Sequence, residues 1–377
     1  MSLIFRLSSR NLFQDRMRFV ATVIGIVFSI VLVTVQMGLF LSFGRMVTTM
    51  IDHAPADLWI VPSGTKCFED PSFVDERESF RALSINGVAE TLPIVIGFAQ
   101  WRLSSGGTTP VFIIGSDMRT AGLRPWNVVA GDLADLAIPG AVAIDRSYLG
   151  RLETTGLGAS AEIGDQRVEV VAVTKDIRAF TTTPYVFTSL ERARASMGTS
   201  PDKATYFMVR LAAGADAETV RGRLRKILSE SEVLTPDEFR GRSRSFWLFG
   251  TGAGAALFAG ALLGIIVGTV IVAQILYSSI KDHLHEFATL RAIGSSAMYL
   301  NKVIILQALL SAAIGFSIAS GIGLVIVAAT ADTALPIIMT PMMSLGLFVL
   351  TVVMCVSSAI SAIVQVMRID PAVAFTR

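Results

Sequence analysis

The residues best suited to chemistry crowd into one short polar stretch. His283, His285 and Glu286 stand close together, and His285-Glu286-Phe287-Ala288-Thr289 comes within one residue of the H-E-x-x-H zinc-hydrolase pattern. The second ligand would be Thr289, which cannot replace an imidazole. His283 and His285 are two residues apart, so a helix points them to different sides and they make a poor metal pair. His53 is isolated. The chain contains neither a G-x-x-x-x-G-K-[ST] phosphate loop nor a G-x-S-x-G nucleophile elbow. Cys67 lies in a polar region and Cys355 in an apolar run, so they are expected to stay unpaired. These residue types point to a non-catalytic chain with no metal site.

The polar stretch is positioned by what flanks it. Ile280–Asn301 carries Lys281, Asp282, His283, His285, Glu286 and Arg291, with Lys302 at its edge, in a half of the chain otherwise almost free of charge. Leu284, Phe287, Ala288 and Leu290 recur at three- and four-residue steps, giving a short helix one apolar face. Gly294 then ends the helix as a C-terminal cap would. Two readings are open: a docking knob for a soluble partner, or an amphipathic loop lying on the membrane surface.

Four runs lack charged residues: 19–44, 246–280, 303–331 and 342–367. Each exceeds the roughly 20 residues that cross a bilayer as a helix. The first is too long for the core of a cleaved signal, and Arg45 follows it without a small-residue cleavage pattern. Arg6, Arg10, Arg16 and Arg18 precede the first run. Lys281, Arg291 and Lys302 separate the second and third, and Arg368 and Arg377 follow the fourth. The link between the third and fourth has Asp332 and no Lys or Arg. The positive-inside rule therefore expects both termini and the Ile280–Asn301 helix in the cytoplasm, with the large region 45–245 outside. No basic tract with interleaved aromatics occurs, so no nucleic-acid partner is expected.

The outer region reads as a mixed α/β domain. Ala56–Pro62, Val111–Gly115, Gly140–Ile144, Arg167–Val173 and Tyr206–Leu211 have the composition of strands, bounded by Gly, Pro and Asp. Helices are expected over Ala217–Ser229, on a stripe of Val220, Leu224, Ile227 and Leu228, and over Ser72–Leu83. Trp59, Trp101 and Trp126 suit a core or a ligand surface. Arg102, Arg119, Arg124, Arg178 and Arg192 suit a solvated surface or an anionic cargo.

Within the second run, Gly260, Gly264 and Gly268 fall on one helix face. Ser311, Gly315, Ala319 and Gly323 do the same in the third. Small residues at this spacing let helices approach closely, either as a moving dimer seam or as static packing inside one protomer. The second run is long enough to project beyond the bilayer and to be continuous with 236–246. Each run holds one glutamine (Gln36, Gln274, Gln307, Gln365) and none holds Asp, Glu, Lys, Arg or His. Ion-coupled carriers need such groups near the midplane, which argues against that class.

Three segments together resemble the MacB/FtsX-type ABC transporter permeases. They are Ser9-Arg-Asn-Leu12 with Arg16-Met-Arg18 and Gly25-Ile26, then His285-Glu-Phe-Ala-Thr-Leu-Arg-Ala-Ile-Gly294, and finally Arg368-Ile-Asp-Pro-Ala-Val-Ala374. Gln36-Met-Gly38, Ala56-Asp-Leu-Trp59 and Gly97-Phe-Ala-Gln-Trp101 are most similar to the DevC branch. The resemblance implies an α-helical membrane protein of four transmembrane helices, with a large mixed α/β extracytoplasmic domain inserted between the first and second. The expected layout is an interfacial segment 1–18, helix 19–44, periplasmic domain 45–245, helix 246–280, cytoplasmic coupling helix 281–302, helix 303–331, loop 332–341, helix 342–367 and tail 368–377.

The resemblance also implies roles. Glu286 and Arg291 would contact a cytoplasmic P-loop ATPase, Phe287 and Leu290 would fill its groove, and Gly294 would set the exit turn. Two ATPase copies, a second permease copy, a periplasmic membrane-fusion adaptor, an outer-membrane channel and membrane lipids are the implied partners. No cofactor would bind this chain; ATP and Mg would sit in the ATPase. The expected place is the bacterial inner membrane, and the expected work is export of a lipid-like or other amphiphilic substrate. An FtsX-like transducer that activates an outer partner without transport is the alternative. A membrane receptor ranks below both, because only ten residues follow Met367.

Overall fold

The computed structural model describes residues 16–118, 122–228, 230–282 and 297–367. The chain divides into two compact units. One holds Met1–Leu41, Ala255–Ala331 and Pro336–Arg377; the other holds Ser42–Gly254 and Asp332–Leu335.

The first unit is built from long apolar helices: α1 (Arg16–Met46), α7 (Ala253–Asp282), α8 (Ala297–Thr330) and α9 (Pro341–Met367). All four are long and apolar enough to cross a membrane. Ile26, Ile30 and Val33 of α1 are buried among the other helices, while Val20, Ile24 and Phe28 on its opposite face are exposed. The run expected as one helix from residue 246 is interrupted. A π-helical turn over Phe246–Gly250 is followed by Gly252 at φ +76°, and α7 begins only at Ala253. A left-handed residue cannot continue a right-handed helix, and hydropathy carries no record of it.

The second unit is α/β. Its short helices are α2 (Thr49–His53), α3 (Glu76–Leu83), α4 (Leu190–Met197), α5 (Ala217–Ile227) and α6 (Pro236–Ser245). Its strands are β1 (Leu58–Pro62), β2 (Val74–Asp75), β3 (Val88–Arg102), β4 (Thr108–Ser116), β5 (Val128–Gly131) and β6 (Ala141–Asp145), followed by β7 (Ser160–Ile163), β8 (Gln166–Thr174), β9 (Tyr185–Ser189), β10 (Lys203–Ala204), β11 (Tyr206–Leu211) and β12 (Ser231–Leu234). The main sheet runs β12-β1-β11-β3-β4-β9-β6-β8-β5, with β7 pairing β3 and β8. Among the described residues, only the β4–β9 and β6–β8 pairs in it are parallel.

Both faces of this sheet are buried, which explains why its central strands lack polar alternation. Leu58 and Ile60 of β1 join the core that α4 and α5 cover through Ala193, Val220 and Leu224. Trp59 and Val61 point to the opposite core, with Met50 of α2 and Phe239 of α6. Trp59 and Trp101 are core residues, not a ligand surface.

Candidate functional site

The segment with the sharpest sequence-based expectation, Glu286, Phe287, Leu290, Arg291 and Gly294, lies outside the described residues, as do His283 and His285. Gly260, Gly264 and Gly268 are described, and they face α1 of the same chain. A Cβ at Gly260 would lie 2.7 Å from the Gln36 amide, and one at Gly264 would lie 3.2 Å from Leu32 and Val33. At Gly268 it would strike Ser29. The Ser29 hydroxyl donates to the Gly264 carbonyl at 2.7 Å, a bond that only such close approach permits. From α8, a Cβ at Gly315 would meet Ile26 at 2.6 Å. Small residues of α7 and α8 thus seat against successive turns of α1.

The second unit gathers three passages of the chain at one loop, residues 175–184. β6 and the turn after it hold this loop. Asp145 accepts from the Ile177 amide at 2.8 Å, and the Ala179 amide donates to the Tyr148 hydroxyl at 3.0 Å. Asp176 and Thr182 both have left-handed backbones, at φ +68° and +60°. For a β-branched threonine this is an unusual conformation that stores about 1–3 kcal/mol of strain.

The loop uses two side chains. Phe180 packs edge-on against Phe43, near the end of α1, at 5.0 Å between ring centres. It also packs on Trp247, in the π-helical turn before α7, at 4.4 Å. Arg178 is buried, donates to the Thr333 carbonyl at 2.8 Å and pairs with Asp176 at 2.8 Å. Asp332 pairs with Arg146 at 2.7 Å, and Ala334 packs on the core beneath. The link between α8 and α9 thereby belongs to the second unit.

Beside this joint lies a buried acid. The Glu69 carboxylate accepts from the Trp247 indole at 3.0 Å and from the Tyr185 hydroxyl at 3.3 Å. Burial pushes its pKa up from the usual carboxylate range to about 7, against the pull of those two donors. Burial also pushes the neighbouring Cys67 thiol to about 12, and the charge of Glu69 adds to the rise. The segment 67–70 that carries Glu69 is braced from both sides. The Tyr206 hydroxyl reaches the carbonyls of Cys67, Phe68 and Asp70 at 3.1, 3.0 and 2.9 Å, and the Phe68 amide donates to Ser243 of α6 at 3.1 Å.

The arginines considered for anionic cargo mostly have structural duties. Arg102 pairs with Glu162 at 2.7 Å, Arg192 bonds Gln166, and Arg178 holds Thr333; Arg119 lies outside the described residues. A cavity of about 550 Å³ opens near Trp101, lined by Ser104, Glu153, Ser160, Glu162 and Arg167. Among the described residues no group of three His, Cys, Asp or Glu side chains is arranged to hold a metal. The sequence drew attention to Asp332 only as a charge that orients the loop. Neither Glu69 nor Trp247 stood out, because the contact between them spans 178 positions.

Residues 19–227 match the family described as MacB-like periplasmic core domain, and residues 258–371 match the FtsX-like permease C-terminal family. Nothing among curated proteins matches the chain. The solved structures similar over about half of it include the following three. The periplasmic region of MacB from Actinobacillus actinomycetemcomitans shares 10% identity over 51% of this chain and 94% of its own, at TM-score 0.40. The extracellular domain of the noncanonic ABC-type transporter YknZ from Gram-positive bacteria shares 16% over 48% and 99%, at 0.34. A domain of a putative permease protein from Porphyromonas gingivalis shares 16% over 48% and 90%, at 0.34.

Proposed function

The chain belongs to the MacB/FtsX-type permeases, membrane proteins with an ABC-type permease role, and from that premise we propose that it couples ATP hydrolysis by a separate cytoplasmic ATPase to motion of its outer domain. The single observation that carries the reading is the ordered pair of family matches. The first includes the first membrane helix and most of the α/β unit, and the second includes α7 from residue 258 onward with α8 and α9. Residues 281–302 dock into the ATPase, with Glu286, Phe287, Leu290 and Arg291 at the contact and Gly294 turning the chain back toward α8. Two permeases and two ATPases form the working complex in an inner membrane, with both termini on the ATPase side. ATP binding draws the two coupling segments together, and α7 carries that motion outward.

The outer domain then expels an amphiphilic substrate held on the outer side, handing it to an adaptor and outer-membrane channel of the kind the DevC-like segments suggest. No charged group need line a path through the helices, in keeping with four apolar runs that hold none. The arrangement at residues 175–184 supports a mechanical role, because one loop touches the end of α1, the turn before α7 and the link between α8 and α9. The test is Glu286→Lys and Gly294→Pro in the assembled complex. Both should abolish substrate-stimulated ATP turnover while leaving the outer domain folded. Normal stimulation in both variants would remove the docking assignment.

A further inference from the structure

Two features coincide where the outer unit ends. The chain leaves α6 through the π-helical turn Phe246–Gly250, and π-turns inside helical segments concentrate at functional sites. That turn is followed by left-handed Gly252, a point where the backbone direction can change cheaply. The side chain that holds the turn down is Trp247, whose indole N–H is bonded to Glu69, a carboxyl enclosed by protein.

We propose that Glu69 and Trp247 form a proton-controlled latch on this π-helical step. With the carboxyl protonated, its carbonyl oxygen accepts from the indole, its hydroxyl meets Tyr185, and the step stays seated. With the carboxylate ionised, the closed site must bury a charge that no cation among the described residues neutralises, so the hydrated, open step gains weight.

The surroundings leave Glu69 as the group that changes. From its own loop, Cys67 is held neutral by burial, and Asp70 is engaged by the Lys66 amide and the Ser72 hydroxyl. From the sheet, Tyr185 and Tyr206 are pushed up by burial and stay protonated, and Tyr148 behind Tyr185 is raised to about 12. From α6, Arg242 is directed to the Thr65 carbonyl and Glu232, and Arg244 to the Gly44 carbonyl. Arg178, on the Phe180 loop, serves Asp176 and Thr333.

The sign follows from the raised pKa. The closed state keeps its proton up to about pH 7, whereas an open, hydrated carboxyl releases it near 4.5. Closure is therefore fully favoured below about 4.5. It weakens as pH rises, by up to tenfold per unit in the closed-to-open ratio, and levels off above about 7.

The experiment is tryptophan emission and acrylamide quenching of the full chain in nanodiscs from pH 5.5 to 8.5. Subtracting Trp247→Phe isolates the Trp247 component. It should shift to longer wavelength and quench several-fold more readily as pH rises, and Glu69→Gln should hold it at the low-pH values throughout. A Trp247 component unchanged with pH, or the same transition in Glu69→Gln, would overturn the latch. Hydrogen exchange across 246–252, corrected for the intrinsic pH dependence, reads the same step in the wild type alone. Equal protection at both pH extremes would also overturn it.

Discussion

The buried guanidinium of Arg178 donates to the main-chain carbonyl of Thr333, 155 residues away, at 2.8 Å. This bond and the Arg146–Asp332 pair fasten the α8–α9 link to the outer unit, but they are not of equal worth. Arg178 is 5% exposed and Asp332 77%. Arg178→Ala should destabilise the outer unit by about 2–3 kcal/mol, because a buried charge-assisted bond is lost. Arg146→Ala should cost under about 1 kcal/mol, since its pair is solvated and screened. Thermal-shift curves of the two purified variants separate these outcomes, and equal shifts would contradict the ranking.

Thr182 carries backbone strain that a glycine would not. Thr182→Gly gives up the hydroxyl contact to Arg151 at 3.2 Å but keeps the carbonyl contact at 2.6 Å. Relief of the left-handed threonine should outweigh the exposed hydroxyl bond, for a net gain of about 0.5–1 kcal/mol. A lower midpoint in a melting experiment would show that this conformation is not strained.

The small-residue contact on α1 predicts a position-specific response to bulk. Gly268→Leu should destabilise the helical unit by about 1–3 kcal/mol, since Ser29 and Met354 occupy the space a side chain needs. Gly321→Leu, where a Cβ meets nothing within 4 Å, should be tolerated. Size-exclusion profiles after graded heating measure both variants. Similar losses would mean that α7 does not seat on α1 in this way.

Cys67 should resist alkylation. A thiol raised from 9 to about 12 presents roughly a thousandth of the ordinary thiolate at neutral pH, before burial slows access further. In a Cys355→Ala background, iodoacetamide labelling at pH 7.5 should be at least about 10³-fold slower than in the denatured chain. Rapid labelling of the folded chain would place Cys67 at the surface.

Some of this fold was legible from local pattern. Tyr206–Leu211 is β11, and Ala217–Ile227 falls within the expected helix, because a run rich in aromatic and apolar residues and an i, i+3, i+4 stripe with its Asp216 cap are local signals. The longest strand, β3, was not. It opens with Val88, Ala89, Glu90 and Thr91 and then meets Pro93 and Gly97, which argue against a central strand. Pro93 fits because the ladder to β4 begins one residue later, at Ile94, so its missing N–H interrupts nothing on that side. The adjacent acids Glu69 and Asp70 carry no local sign that one of them is buried, and only the fold brings Tyr185 and Trp247 over Glu69. The family resemblance rested on short local segments, so it could be read while the joint around Phe180, assembled from distant stretches, could not.

The most direct measurement for the account as a whole is gentle detergent extraction of the tagged chain, followed by identification and stoichiometry of what accompanies it. The account predicts a P-loop ATPase at one copy per permease, lost on Glu286→Lys with the outer domain still folded. A correctly folded chain that brings no ATPase under mild conditions would contradict the permease role and leave residues 281–302 as a surface loop.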